Sequence, residues 1–254
     1  MRVRLDLGYD GTAFSGWAKQ PGLRTIEGVL GEALARVFRL KAEPRLTVAG
    51  RTDAGVHALG QVAHIDLSAA VWSEYADRAP RRLRGALPED VRVTQLRVAP
   101  DGFDARFSAV ARQYSYLMSD DLTGVDPMLR HRVVWYRRSL NVDAMNEAAL
   151  LLRGEHDFVA FCRRREGVPT VRSLQTFVWT RRDDGLIEAT VTASAFCHNM
   201  VRALVGACVA VGEGRRPASW VSEVLQSVER SPAVRVMPPH GLTLEAVRYS
   251  ATVG

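Results

Sequence analysis

Lysine is almost absent from this chain. Of its 34 basic residues only Lys19 and Lys41 are lysine, and the rest are arginine. A bias that strong can come from nucleotide composition, so the net charge of +6 favours a polyanionic partner without selecting one. Cysteine is scarce too. Cys162, Cys197 and Cys208 form no CxxC pair, which speaks against a disulfide framework and against a structural zinc site. Cys197 and His198 are adjacent, and neighbours on a strand or helix point apart, so no metal is expected there. No run of about 18 apolar residues occurs, and no membrane span is expected. The first residues, Met1-Arg2-Val3-Arg4-Leu5-Asp6, alternate like a strand and lack the apolar stretch of a signal peptide, which points to the cytoplasm. No segment is of low complexity.

What is present suits a globular protein. Hydrophobic residues make up 47% and charged residues 24% of the 254 positions, enough for one large domain or two ordinary ones. Arg2 to Tyr9 alternates, with Val3, Leu5, Leu7 and Tyr9 on one face, and reads as a half-buried strand. Ile26, Val29, Leu30, Ala33, Leu34, Val37 and Phe38 recur at helical spacing behind Thr25, a good N-cap. A strand at Leu46–Ala49, a glycine-rich loop and a strand at Gln61–Leu67 follow. A helix then runs through Ser73–Leu87, interrupted by Pro80, and a strand spans Val91–Val98. That order of strand, helix, strand, strand, helix, strand is the ferredoxin-like pattern.

Pro100-Asp101-Gly102 marks a boundary, dividing residues 1–100 from 101–254. The second half opens with an extended run from Ala105 to Met118 and a short strand at Arg132–Arg137. A helix over Val142–Leu152 starts at Asn141, and Phe158–Phe161 and Val171–Thr180 read as strands. Asp183-Asp184-Gly185 turns into Leu186–Phe196. Met200–Val211 is an almost wholly apolar helix ended by Gly212, followed by a helix at Trp220–Val228 and a last strand at Leu242–Tyr249. The expected class is α+β. It comprises two ferredoxin-like, βαββαβ-related halves with mainly antiparallel sheets, helices packed on one side and an active-site cleft between them.

Three constellations can carry chemistry. Gly50-Arg51-Thr52-Asp53-Ala54-Gly55-Val56-His57 joins two strands and holds one acid. An Asp in such a place often does no more than bond its own turn. A loop rich in glycine can equally aim a carboxylate into a cleft. In the run from Ala105, alternation puts Arg106, Arg112, Tyr114 and Tyr116 on one face. Arginines beside tyrosines suit RNA, since Arg meets phosphate and Tyr stacks on bases, although tyrosines also pack under helices. In Phe196-Cys197-His198-Asn199-Met200-Val201-Arg202, Arg202 is the only charge of an otherwise apolar helix. It either snorkels to the surface or pairs with an acid.

These stretches resemble the bacterial tRNA pseudouridine synthase A family. Gly50 to His57 resembles the segment that bears the family's catalytic nucleophile. Arg112-Gln113-Tyr114-Ser115-Tyr116 resembles its Arg-x-Tyr-x-Tyr motif, and Phe196 to Arg202 its Phe-x-His-x-Met-Val-Arg segment. Tyr9-Asp10-Gly11 with Gly16-Trp17, and Asp104-Ala105-Arg106-Phe107-Ser108-Ala109, match as well. Ala18 stands where the family usually has Gln, and Arg84 where an Asn often precedes Leu-Pro. Both departures bear on RNA contacts rather than on the chemistry.

The resemblance implies isomerisation of uridine to pseudouridine in the tRNA anticodon stem-loop, at positions 38, 39 and 40. It assigns Asp53 as nucleophile, Arg202 as its ion-pair partner, and Tyr114 to stacking on the uracil and to proton transfer. Arg51, His57, Arg106 and Arg112 are the further substrate-binding residues. The base would be flipped out, and neither a cofactor nor a metal is required. The partners are tRNA and a second copy of the chain, as a homodimer. His57 and His64 also come into question as general bases. Arg163-Arg164-Arg165 comes into question as a phosphate contact. Two other classes fit less well. An RNA-binding module would need an RNP1-like string, and a metal-dependent hydrolase would need further ligands; neither is found.

Overall fold

Apolar alternation and helix caps determine where the elements form. The computed structural model describes residues 1–163, 167 and 169–250. In chain order the elements begin with β1 (Arg2–Tyr9), α1 (Ile26–Val37), β2 (Thr47–Val48), β3 (His57–Asp66), α2 (Ala69–Tyr75), α3 (Ala79–Ala86) and β4 (Val91–Val98). They continue with β5 (Ala109–Ser119), β6 (Val134–Trp135), α4 (Val142–Leu151), β7 (Gly154–Asp157), β8 (Val171–Arg181) and β9 (Ile187–Ala193). The last are α5 (Met200–Gly212), α6 (Trp220–Leu225) and β10 (Leu242–Tyr249). The chain forms two compact units, Met1–Val110 with the strand from Leu244, and Ala111–Thr243. The Pro100-Asp101-Gly102 turn lies inside the first of them.

In the first unit β4, β1, β3 and β10 are neighbours in that order, and β2 pairs with β3. The β1–β3, β1–β4 and β2–β3 ladders are all antiparallel. Among the strands of the strand-helix-strand-strand-helix-strand string, the order β4-β1-β3-β2 is ferredoxin-like. Val3, Leu5, Leu7 and Tyr9 are buried along β1, as their alternation requires. Arg4 is buried on the opposite face because it bonds Asp6 at 2.7 Å and lies 4.9 Å over the Tyr249 ring. Thr25 caps α1, which buries Ile26, Leu30, Ala33, Leu34 and Val37. Each larger side chain there contributes about 1.5–3 kcal/mol.

In the second unit β5, β9, β8 and β7 are neighbours, all antiparallel, and β6 adds to β5 in parallel. The arrangement β5-β9-β8 repeats β1-β3-β2. Asn141 caps α4 with its side-chain oxygen. The chain is α+β, with mostly antiparallel strands and helices, the class the sequence implied.

Several boundaries differ from expectation. The extended run starts at Ala109, not Ala105. The Asp104 Oδ1 accepts from the backbone N–H groups of Arg106 and Phe107 at 2.8 and 2.9 Å, which folds that segment into a turn. The helix through Pro80 is two helices, and Pro80 sits in the first turn of α3, where a missing N–H costs nothing. Phe158–Phe161 is not a strand. Val159–Phe161 forms a 3-10 turn, and the pairing residues are Gly154–Asp157 just before it. The strand at Arg132–Arg137 shrinks to Val134–Trp135. Among the described residues no helix is long and apolar enough to cross a membrane.

Candidate active site

Asp53 stands half-buried on the loop between β2 and β3, with Thr52 buried before it and Arg51 exposed. The loop backbone is held at nearly every step. Trp17 N–H donates to the Thr52 carbonyl at 3.0 Å, and Val56 N–H to the Asp53 carbonyl at 3.2 Å. Gly55 N–H donates to the Phe14 carbonyl at 3.3 Å, and Gly55 takes φ 76°, where a side chain would strain. The Gln61 side chain donates to the Gly50 carbonyl at 2.9 Å.

His57 was expected to touch substrate, but it is only 2% exposed. Its Nδ1 accepts from Gly11 N–H at 3.1 Å, and Asp10 Oδ1 lies 3.1 Å from the same nitrogen. One ring nitrogen cannot both accept that proton and carry its own to Asp10. An amide N–H can only donate, and Asp10 already accepts from the backbone and hydroxyl of Thr12. The ring therefore ties two loops together and is not a charged partner of Asp10. His64 has a similar task. It is buried, and its Nδ1 accepts from Ala105 N–H at 3.0 Å, fixing the turn that bears Arg106. Arg106 is exposed and stands 5.2 Å over the ring of Phe107, itself 79% exposed.

In the second unit Tyr114 lies on β5 opposite Val191, almost buried, with Phe196 edge-on at 5.2 Å. Arg112, two residues earlier, is buried and donates to the Ser194 carbonyl at 2.6 Å. Tyr116 is a packing residue. It is fully buried and donates to the Pro238 carbonyl at 2.8 Å. Burial drives its phenol pKa up against the opposing charges of Arg202 and Arg235.

Arg202 lies in the first turn of α5, after Asn199 at φ 67°. Its Nε donates to the Met237 carbonyl at 2.6 Å and one Nη to the Asn199 side chain at 3.3 Å. Met237 N–H returns a bond to the Arg202 carbonyl at 3.1 Å. This close approach needs Gly206, where a Cβ would overlap the Arg235 carbonyl oxygen. Just before α5, Cys197 is joined to Cys162, with Cα atoms 5.7 Å apart, and Arg163 N–H donates to the His198 carbonyl. The pairing corrects the expectation of no disulfide. The partners are 35 residues apart, a separation that carries no spacing signature. Arg164 and Arg165 lie outside the described residues. Among the described residues no group of three or more His, Cys, Asp or Glu side chains could hold a metal ion.

Sequence reasoning missed the supporting residues. Tyr9 looked like one more apolar member of β1, and Gln61 like a strand terminus. Phe196 was part of a motif without a role of its own. The hydroxyl of Tyr9 and the amide of Gln61, each on an otherwise apolar run, could have signalled those two, and Phe196 carries no such polar mark.

A family profile described as tRNA pseudouridine synthase matches residues 148–250. That profile spans less than half of the chain, and relatives that cover nearly all of it carry the class, an isomerase that forms pseudouridine from uridine in tRNA. The chain is 57% identical over 252 residues to tRNA pseudouridine synthase A of Streptomyces griseus, covering 99% of this chain and 89% of that protein. It is 56% identical over 253 residues to the Streptomyces avermitilis protein of the same name, with the same coverage. To that of Mycobacterium leprae it is 46% identical over 260 residues, covering 98% and 90%. The chain belongs to the tRNA pseudouridine synthase A family.

Proposed function

We propose that this chain converts uridine to pseudouridine in the anticodon stem-loop of tRNA, at positions 38, 39 and 40, with Asp53 as nucleophile. The observation that carries this reading is a half-buried carboxylate on a loop whose backbone is bonded on both sides of it. A nucleophile needs that fixed placement more than it needs any other feature.

The reaction breaks the N1–C1′ bond, turns the uracil and makes a C5–C1′ bond. The C5 proton leaves and N1 takes one up. Nothing is oxidised and no group is imported, so side chains suffice. Asp53 attacks C1′ of the ribose or C6 of the uracil. The nucleotide is flipped from its stack to reach it. Tyr114 stacks on the flipped uracil and helps move the C5 proton, and Arg202 balances the charge of Asp53. Exposed Arg51 fills the gap in the RNA or holds a phosphate, and exposed Arg106 meets the backbone. The working species in this reading is a cytoplasmic homodimer, on the strength of the family resemblance.

Incubating the protein with an unmodified tRNA transcript, without added metal, and mapping pseudouridine tests the proposal. New pseudouridine at positions 38 to 40 is expected. Modification elsewhere, or tRNA that is bound but unchanged, contradicts it.

A further inference from the structure

We infer that Tyr9, through Thr52 and together with Gln61, is a positioning residue for Asp53. The inference rests on the reading of Asp53 as nucleophile. Tyr9 ends β1, and Thr52 immediately precedes Asp53. Their hydroxyl oxygens are 2.7 Å apart in the interior. Gln61, on β3, is fully buried. Its Nε2 donates to the Tyr9 oxygen at 3.2 Å and to the Gly50 carbonyl at 2.9 Å.

One proton direction follows from this pattern. The amide nitrogen of Gln61 can only donate, so Tyr9 accepts there, and its own proton or that of Thr52 closes the contact between the two hydroxyls. Burial pushes the Tyr9 phenol up to about 12, so it keeps its proton across the working range. Three side chains from two strands and the loop thus grip residues 50 and 52, on either side of Arg51 and directly before Asp53. Trp17, packed 6.2 Å from Tyr9, holds the Thr52 carbonyl from the other side. A polar chain inside an otherwise apolar face of β1 is a poor device for stability alone, since apolar side chains of the same shape would serve as well. It is a good device for fixing one side chain's angle, because the Gln61 amide nitrogen donates to two separate acceptors, one on Tyr9 and one at Gly50.

Tyr9→Phe tests this, because it removes one oxygen and leaves the ring. Single-turnover formation of pseudouridine should slow about ten- to a hundredfold, as displacement of a nucleophile by a fraction of an ångström does. The Kd for tRNA should stay within about twofold. Thr52→Val should lose as much, the double variant should lose no more than either alone, and Thr52→Ser should restore the rate. Rates are read well below each variant's Tm, which separates positioning from loss of fold. A Tyr9→Phe protein with a lower Tm but an undiminished rate overturns the inference while leaving the nucleophile in place, provided Asp53→Asn is inactive. If Asp53→Asn turns over normally, the nucleophile and the positioning claim both fall.

Discussion

Gly11 and Val56 are packed backbone to backbone, with no room for a methyl group between Gly11 and the Val56 carbonyl oxygen. The contact brings the loop after β1 against the end of the Asp53 loop, where Gly11 N–H also bonds His57. Gly11→Ala forces the two loops apart. Stability should fall by about 1–3 kcal/mol, the usual cost of overpacking. Turnover measured below the lowered Tm should fall with it, because the displaced segment carries Asp53. Urea unfolding together with a pseudouridine assay checks both. An unchanged midpoint means the loops have slack the packing denies.

How much of this was legible beforehand can be read from particular residues. Thr25, Asn141 and the β8–β9 turn act locally, and each element they delimit lies where alternation or capping placed it. The turn at Arg106 was hidden because Asp104 is polar in any reading, and only its backbone bonds reveal the fold. His57 was assigned to substrate by resemblance alone, and nothing in the sequence shows that Gly11 N–H comes to meet its ring. The Cys162–Cys197 link and the Tyr9–Thr52–Gln61 chain join residues far apart in sequence, and periodicity is blind to such pairs. The motifs that bear Asp53, Tyr114 and Arg202 stand out in the sequence as motifs. What holds them does not.

Burial, reinforced by the charge of Arg2, holds the His64 imidazole below its ordinary value of 6.5. The unfolded chain therefore takes up this proton before the folded one does. Neutral His64 supports the fold above about pH 6.5, and that support is lost progressively as the pH falls further. Urea unfolding at stepped pH should show stability declining on the acid side. His64→Gln, which keeps an acceptor for Ala105 N–H, should flatten that decline. An identical acid slope in both proteins contradicts the assignment.

The cysteines make a separate prediction. Cys208 is buried, and its thiol is pushed up to about 12. In protein purified without reductant, no thiol should react while the chain is folded, and one should react once it is denatured. Peptide mapping should recover Cys162 linked to Cys197. Reduction should cost about 3–4 kcal/mol by the loop-closure relation for their separation of 35 residues. Three thiols in the denatured, unreduced protein would refute the pairing.

Tyr114→Phe keeps the edge-on packing against Phe196, 5.2 Å away, and removes only the hydroxyl. Stacking on uracil needs the ring, and proton transfer needs the oxygen. The rate should therefore drop by about a hundredfold or more while tRNA affinity changes little, in line with general acid–base contributions. Equal losses in affinity and rate would make Tyr114 a binding residue only.

The most direct test uses tRNA carrying tritium at C5 of its uridines. Formation of the C5–C1′ bond expels that tritium, so its release counts turnovers. With Asp53→Asn, release should vanish while the variant still binds tRNA as tightly as the parent. Release from that variant at the parent's rate would mean that the carboxylate is not the nucleophile.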